Sequence, residues 1–216
     1  MQAVAAHAWA VANEPAVDAA TIDALQNGLQ GWQVEGKGQA AAGPDAKPVW
    51  SCEDGVVRCA GKGFGFLRFD RQLQDFRLEL DYRFPKKGNS GIGIRTIPFT
   101  EKFDTRPSVA AYEVQLLSDA GTAPGKGSCA SLYGYVAPSA NTSRPVGEWN
   151  SMVIECRGPR IRVIHNGTTV IDFDQTTLRE TAKKSLSGSV CLQNHGSVVE
   201  FRKILVTDMS ATGTSN

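Results

Sequence analysis

Phe76, Leu78, Leu80, Tyr82 and Phe84 occupy every second position of one stretch, with Arg77, Glu79, Asp81 and Arg83 between them. Side chains alternate across a strand, so this spacing gathers the apolar groups on one face and the charges on the other. A helix would scatter both sets around its axis. The stretch therefore predicts a strand in a sheet that is wet on one side, and the apolar side needs a second layer to cover it.

The same signal recurs along most of the chain. Pro48 to Cys52 and Val56 to Cys59 flank Asp54-Gly55, and Arg160 to His165 and Thr169 to Phe173 flank Asn166-Gly167; both dipeptides mark hairpin turns. Further short runs are Gly65 to Phe69, Gly91 to Arg95, Tyr112 to Leu117, Trp149 to Glu155, Gly188 to Gln193 and Val198 to Val206. Helical periodicity is limited to short turns near Asp18-Leu25 and Thr177-Lys184. The fold expected is all-β, a two-sheet antiparallel jelly-roll sandwich with little helix. Residues 22–208 would form it, with 1–21 and 209–216 as flexible tails. The loops at 96–110 and 118–148 exceed what a compact sandwich needs, and loops of that length often carry function.

A net charge of +1 leaves no basic surplus to meet phosphates, which argues against a nucleic-acid partner. No apolar run approaches a membrane span. The Ala-rich start with Ala6-His7-Ala8 has no basic leader or full apolar stretch, and reads as the stub of an export signal, periplasmic or extracellular. The five cysteines form no C-x-x-C pair; Cys52 and Cys59 share a hairpin face, which leaves a bridge there as the alternative to buried thiols.

Within Tyr112 to Leu117, Tyr112, Val114 and Leu116 face one way, and Glu113 and Gln115 face the other. A carboxylate in so apolar a strand is costly unless it is paired, hydrogen-bonded or facing a cleft. Gly91 and Gly93 share a face with Arg95, which would stand at the edge of a shallow glycine floor and reach either Glu113 or a ligand oxygen. Gln193 and His195 lie on the less apolar face of their strand, and Asn89 belongs to a polar turn at the rim. Tyr133 is an aromatic suited to stacking on a sugar face, and Trp149 reads either as a core tryptophan at a strand start or as a substrate contact. His165 reads as a turn residue. The sequence has no G-x-S-x-G elbow, no H-E-x-x-H pair and no P-loop. Ordinary glycoside hydrolysis uses two carboxylates, and Glu113-Val114-Gln115 offers one. Asp104 and Asp119 are loop carboxylates available to a divalent ion, but no ligand spacing marks a site, so no cofactor is expected.

The order of Gly31-Trp32, Trp50 with Asp54-Gly55-Val56, Asn89-Ser90-Gly91-Ile92, Tyr112-Glu113-Val114-Gln115, Leu132-Tyr133-Gly134, Gly147-Glu148-Trp149-Asn150, His165-Asn166-Gly167 and His195-Gly196 resembles the 3-keto-disaccharide hydrolase domain family. That resemblance implies a concanavalin A-like jelly roll acting on, or binding, saccharides, with 3-keto-glycosides as the named substrate. A C3 ketone acidifies the C2 hydrogen, so the bond at C1 can break by elimination followed by hydration, which needs one base, one acid and a cation near the enolate. Glu113 or His195 would be the base and the other the acid or orienter, with Arg95 as the cation. Gln115, Gln193, Tyr133, Asn89 and Trp149 would hold the sugar. The alternative is a non-catalytic carbohydrate-binding module with the same cleft.

Overall fold

The computed structural model describes residues 21–37 and 48–210. The expected tails fall almost wholly outside these residues, and the export-signal stub entirely so. Thirteen strands are described: β1 (Thr21–Asp23), β2 (Trp32–Lys37), β3 (Trp50–Glu53), β4 (Val56–Ala60), β5 (Phe64–Phe69), β6 (Phe76–Arg83), β7 (Asn89–Thr96), β8 (Tyr112–Leu117), β9 (Asn150–Arg157), β10 (Arg160–His165), β11 (Thr168–Asp174), β12 (Ser189–Asn194) and β13 (Val198–Asp208). Among the described residues the one α-helical turn is α1 (Pro107–Ala110). Thr21–Asp23 is a strand paired with β13, where the sequence predicted a helical turn. Pairing to a long, buried neighbour outweighs local propensity over three residues.

The strands form two antiparallel sheets. One runs β11-β10-β9-β6-β13-β4-β3, with β1 also on β13; the other runs β2-β5-β12-β7-β8. The apolar sets predicted from alternation meet between them: Phe76, Leu78, Leu80 and Tyr82 from β6 against Tyr112, Val114, Leu116, Ile92 and Leu192 from the second sheet. Both hairpin dipeptides take positive φ at both residues, 50° and 72° at Asp54-Gly55 and 49° and 81° at Asn166-Gly167, as the tight two-residue turn requires.

On the outer face of the first sheet, charges pair across strands. Arg83 and Arg58 both reach Glu200, Arg77 reaches Glu155, and Arg202 reaches Asp81. These pairs are half-buried on the wet face, and their pattern disfavours a one-residue slip that would turn the charges inward. Trp149 lies on this face, with the Arg83 and Arg202 guanidinium carbons 4.6 and 4.1 Å from its ring centre. It is therefore not placed to stack on a ligand beside Glu113, because it belongs to the opposite sheet.

All five cysteines are free. Cys52 and Cys59 do share a face, but Cys52 lies opposite Val57 and Cys59 opposite Trp50. That diagonal offset is about 7–8 Å between Cα atoms, too long for a disulfide. His165 is buried rather than part of the turn surface. Its Nε2 is 3.0 Å from the Tyr82 hydroxyl and its Nδ1 is 2.8 Å from Thr142 Oγ1. Burial lowers its pKa to about 4, so the ring is neutral.

Candidate functional site

The outward face of the five-stranded sheet carries Glu113 and Gln115 from β8, Gln193 from β12 and Phe64 and Phe66 from β5. Residues 97–111 roof part of that face. Glu35 on β2 anchors the roof, accepting the Phe99 backbone N–H at 2.8 Å through one oxygen and Arg68 at 2.6 Å through the other. The Phe99 ring packs edge-on against Phe66, centres 5.0 Å apart. Further along, α1 presses onto the sheet where Gly93 leaves room: a Cβ there would meet the side chains of Cys191, Thr96 and Pro107. Between the roof and the outward side chains of β8 and β12 a solvent-open cavity of about 120 Å³ remains.

Glu113 forms the floor of this cavity. The missing side chain of Gly91 makes room for it, since a Cβ at Gly91 would stand 2.5 Å from Glu113 Oε1. The glycine floor expected from sequence is thus filled by protein groups, and the carboxyl itself is what a ligand would meet. Glu113 is 5% exposed. Burial pushes its pKa up to about 7, against the opposing pull of hydrogen bonds from Gln193 and Ser108 and the charge of Arg106. Gln115 donates to Asn89 Oδ1 at 3.0 Å. Gln193 Oε1 is buried without a hydrogen-bond donor among the described residues, so the cavity holds an acceptor that a ligand hydroxyl can satisfy.

Four neighbours complete the rim. His195 sits just past β12, exposed, its ring 5.7 Å from that of Phe64. Tyr133 is 45% exposed and is held by the segment that covers the free edge of β8, where the Tyr133 N–H donates to the Glu113 carbonyl at 2.8 Å. Opposite them stand Arg106 and Ser108 from the roof.

The structure thus brings Glu113, His195, Gln115, Gln193, Tyr133 and Asn89 together and leaves out Arg95 and Trp149. Arg95 is excluded by a β-bulge. Ser189 pairs with Thr96 and Cys191 with Gly93, so β7 has one residue more than β12 between those points. Arg95 takes up the extra residue with φ 56°. The alternation inverts there, and its side chain turns into the sandwich, donating to Gln175 Oε1 at 3.1 Å and to the Gly158 carbonyl at 2.6 Å. Arg106, Ser108 and Phe64 were not foreseen. Arg106-Pro107-Ser108 sits in an aperiodic loop, and only the loop's length signalled it. Asp119 is committed to the Cys129 N–H and the Ser143 hydroxyl. Among the described residues no cluster of His, Cys, Asp and Glu is grouped to hold a metal, and no helix is long and apolar enough to cross a membrane.

A small polar cleft on the outer face of a two-sheet sandwich is the frame of a carbohydrate-active protein, the class to which its family belongs. Residues 22–207 match the model of the 3-keto-alpha-glucoside-1,2-lyase-like domain, and the chain belongs to that family. It is 25% identical to a 3-keto-disaccharide hydrolase of Bacteroides thetaiotaomicron, over 82% of this chain and 74% of that protein. A provisionally assigned glycosyl hydrolase from Parabacteroides distasonis superposes with a TM-score of 0.71 at 22% identity, covering 88% of this chain and all (100%) of that one. The carbohydrate-binding module CBM66 from Bacillus subtilis superposes with a TM-score of 0.52 at 16% identity, covering 82% and 96%. These two structures share the fold.

Proposed function

We propose that the cavity over Glu113 cleaves 3-keto-glycosides by elimination across C1 and C2, followed by hydration. The observation that carries this reading is a single buried carboxyl, with a pKa of about 7, as the only carboxyl group among the described residues that line the cavity. Two-carboxylate hydrolysis needs a second acid some 5–10 Å away, and the described residues lining the cavity provide none. A base with a pKa near the working pH suits removal of a proton alpha to a carbonyl.

Glu113 takes the C2 proton, and the bonding pair moves into the C2–C3 bond to give an enolate at the C3 oxygen. Collapse of the enolate restores the ketone, forms the C1–C2 double bond and expels the C1 oxygen, which receives a proton. His195 and Tyr133 are the exposed groups at the rim that can supply that proton. Water then adds across the double bond. Gln193 Oε1 accepts a sugar hydroxyl, while the Gln115–Asn89 pair holds another. The small cavity favours the end ring of a disaccharide over a length of polymer.

The test is turnover of a 3-keto-glucoside or 3-keto-trehalose, followed by product release. Glu113→Gln is expected to lower kcat at least 100-fold with native folding, and His195→Ala to lower it by a factor of about 10 or more. Unchanged turnover in both variants would refute the assignment. The fold likeness to CBM66 favours a second reading, non-catalytic binding. Binding of plain oligosaccharides with no turnover of any keto-sugar would support that instead.

A further inference from the structure

We infer that Arg106 is the catalytic residue that stabilises the oxyanion at C3, the role for which the sequence offers Arg95; this rests on the reading just proposed. An enolate forming in a cleft needs a fixed cation or hydrogen-bond donors at the oxygen where the charge develops. With Arg95 turned into the sandwich, Arg106 is the only guanidinium or ammonium among the described residues that line the cavity.

Its surroundings hold it ready for an anion. The guanidinium carbon lies 5.0 Å from the centre of the Phe64 ring and 5.4 Å from that of Phe103, so two aromatic faces fix its plane without neutralising its charge. Its Nε–H is buried and has no acceptor among the described residues. Most arginines that pair on this protein's surface reach a carboxylate directly, as Arg68, Arg83 and Arg202 do. Arg106 has no ion pair of that kind among the described residues. A buried donor without a partner carries a desolvation cost, and a ligand oxygen relieves it.

The backbone at Arg106 is also fixed. Its N–H donates to the Phe103 carbonyl at 3.2 Å, and its carbonyl accepts from Val109 and Ala110, both at 2.9 Å. Lys184 reaches the Val109 carbonyl, and the Tyr135 hydroxyl donates to that of Ser108 at 3.2 Å. The roof is thereby braced from outside the cleft. Such bracing is what lets a loop residue act as a preorganised donor.

The experiment compares wild type with Arg106→Met, which keeps the packing stem and removes the charge, and with Arg106→Ala, each assayed on a 3-keto-glucoside with and without added guanidinium ion. The expected result is a 100- to 1,000-fold fall in kcat for both variants, with KM changed far less. Guanidinium is expected to restore at least tenfold in Arg106→Ala and nothing in wild type. C2 deuterium exchange into the intact substrate should fall in step with kcat. A kcat within threefold of wild type in Arg106→Met, or a loss confined to KM, overturns the inference while the elimination reading stands. Loss in Arg106→Ala without guanidinium rescue, beside full activity in Arg106→Met, assigns the residue a packing role and also overturns it. A wild-type protein inert toward every 3-keto-glycoside removes both.

Discussion

Glu113→Gln is expected to make the protein more stable at alkaline pH while it abolishes turnover. The carboxyl is raised from an ordinary 4.5 to about 7 by burial, so between those two values the folded state keeps a proton that the unfolded state has released. Stability therefore falls as pH rises through this window. At about 1.36 kcal/mol for each factor of ten in the protonation equilibrium, the full cost above pH 7 is about 3 kcal/mol. A glutamine side chain pays none of it. Gln193 Oε1, which has no donor, can accept the new amide N–H, while the remaining amide oxygen keeps an acceptor for the donors that meet Glu113. With a urea dependence of about 2 kcal/mol per molar, the midpoint of Glu113→Gln should lie about 1.5 M above wild type at pH 8. The gap should close as pH falls toward 4.5. Urea titrations of the two proteins across that range read the effect directly. A midpoint difference that stays constant with pH would show that Glu113 titrates as an ordinary carboxyl, and the base assignment would lose its physical footing.

Gly91→Ala places a Cβ 2.5 Å from Glu113 Oε1; the carboxyl must move, and a loss of turnover of about tenfold or more is expected with little change in unfolding midpoint. Arg95→Ala leaves the Gly158 carbonyl without its donor and empties a buried volume, so a loss of about 2–4 kcal/mol in urea unfolding is expected, with the pH profile of kcat unmoved. His165, neutral when folded with a pKa of about 4, gains its proton more readily in the unfolded chain. Stability should therefore fall as pH drops from about 6.5 toward 4, and His165→Gln should flatten that acid limb in the same titration.

The sandwich was legible because its strands alternate cleanly. Phe76 to Phe84 needed only a period of two, and Asn166-Gly167 needed only the requirement for positive φ at both turn residues. Glu113, Gln115, Gln193 and His195 were legible for the same reason, since a polar residue on the far side of an apolar strand has to face something. Arg95 misled because alternation counts residues and does not see a bulge. Trp149 misled because nothing local says which of two sheets a strand will join. Arg106 and Ser108 were hidden for another reason: the roof that delivers them is fixed by tertiary contacts, such as Glu35 with the Phe99 N–H, which leave no periodic trace.

The bulge at Arg95 makes β7 a strand of two parities. Before it, odd-numbered positions look toward the cleft; beyond it, the even-numbered Thr96 does, and its methyl group borders the space above Gly93. One supernumerary residue thus lets a single strand floor a binding face with glycines and then send a cation across to the β9–β10 turn of the other layer. Removing one residue there would restore simple counting and swing Arg95 outward, leaving Gln175 and the Gly158 carbonyl without it. Any graft of this cleft onto another sandwich must carry the odd residue along with the side chains it serves.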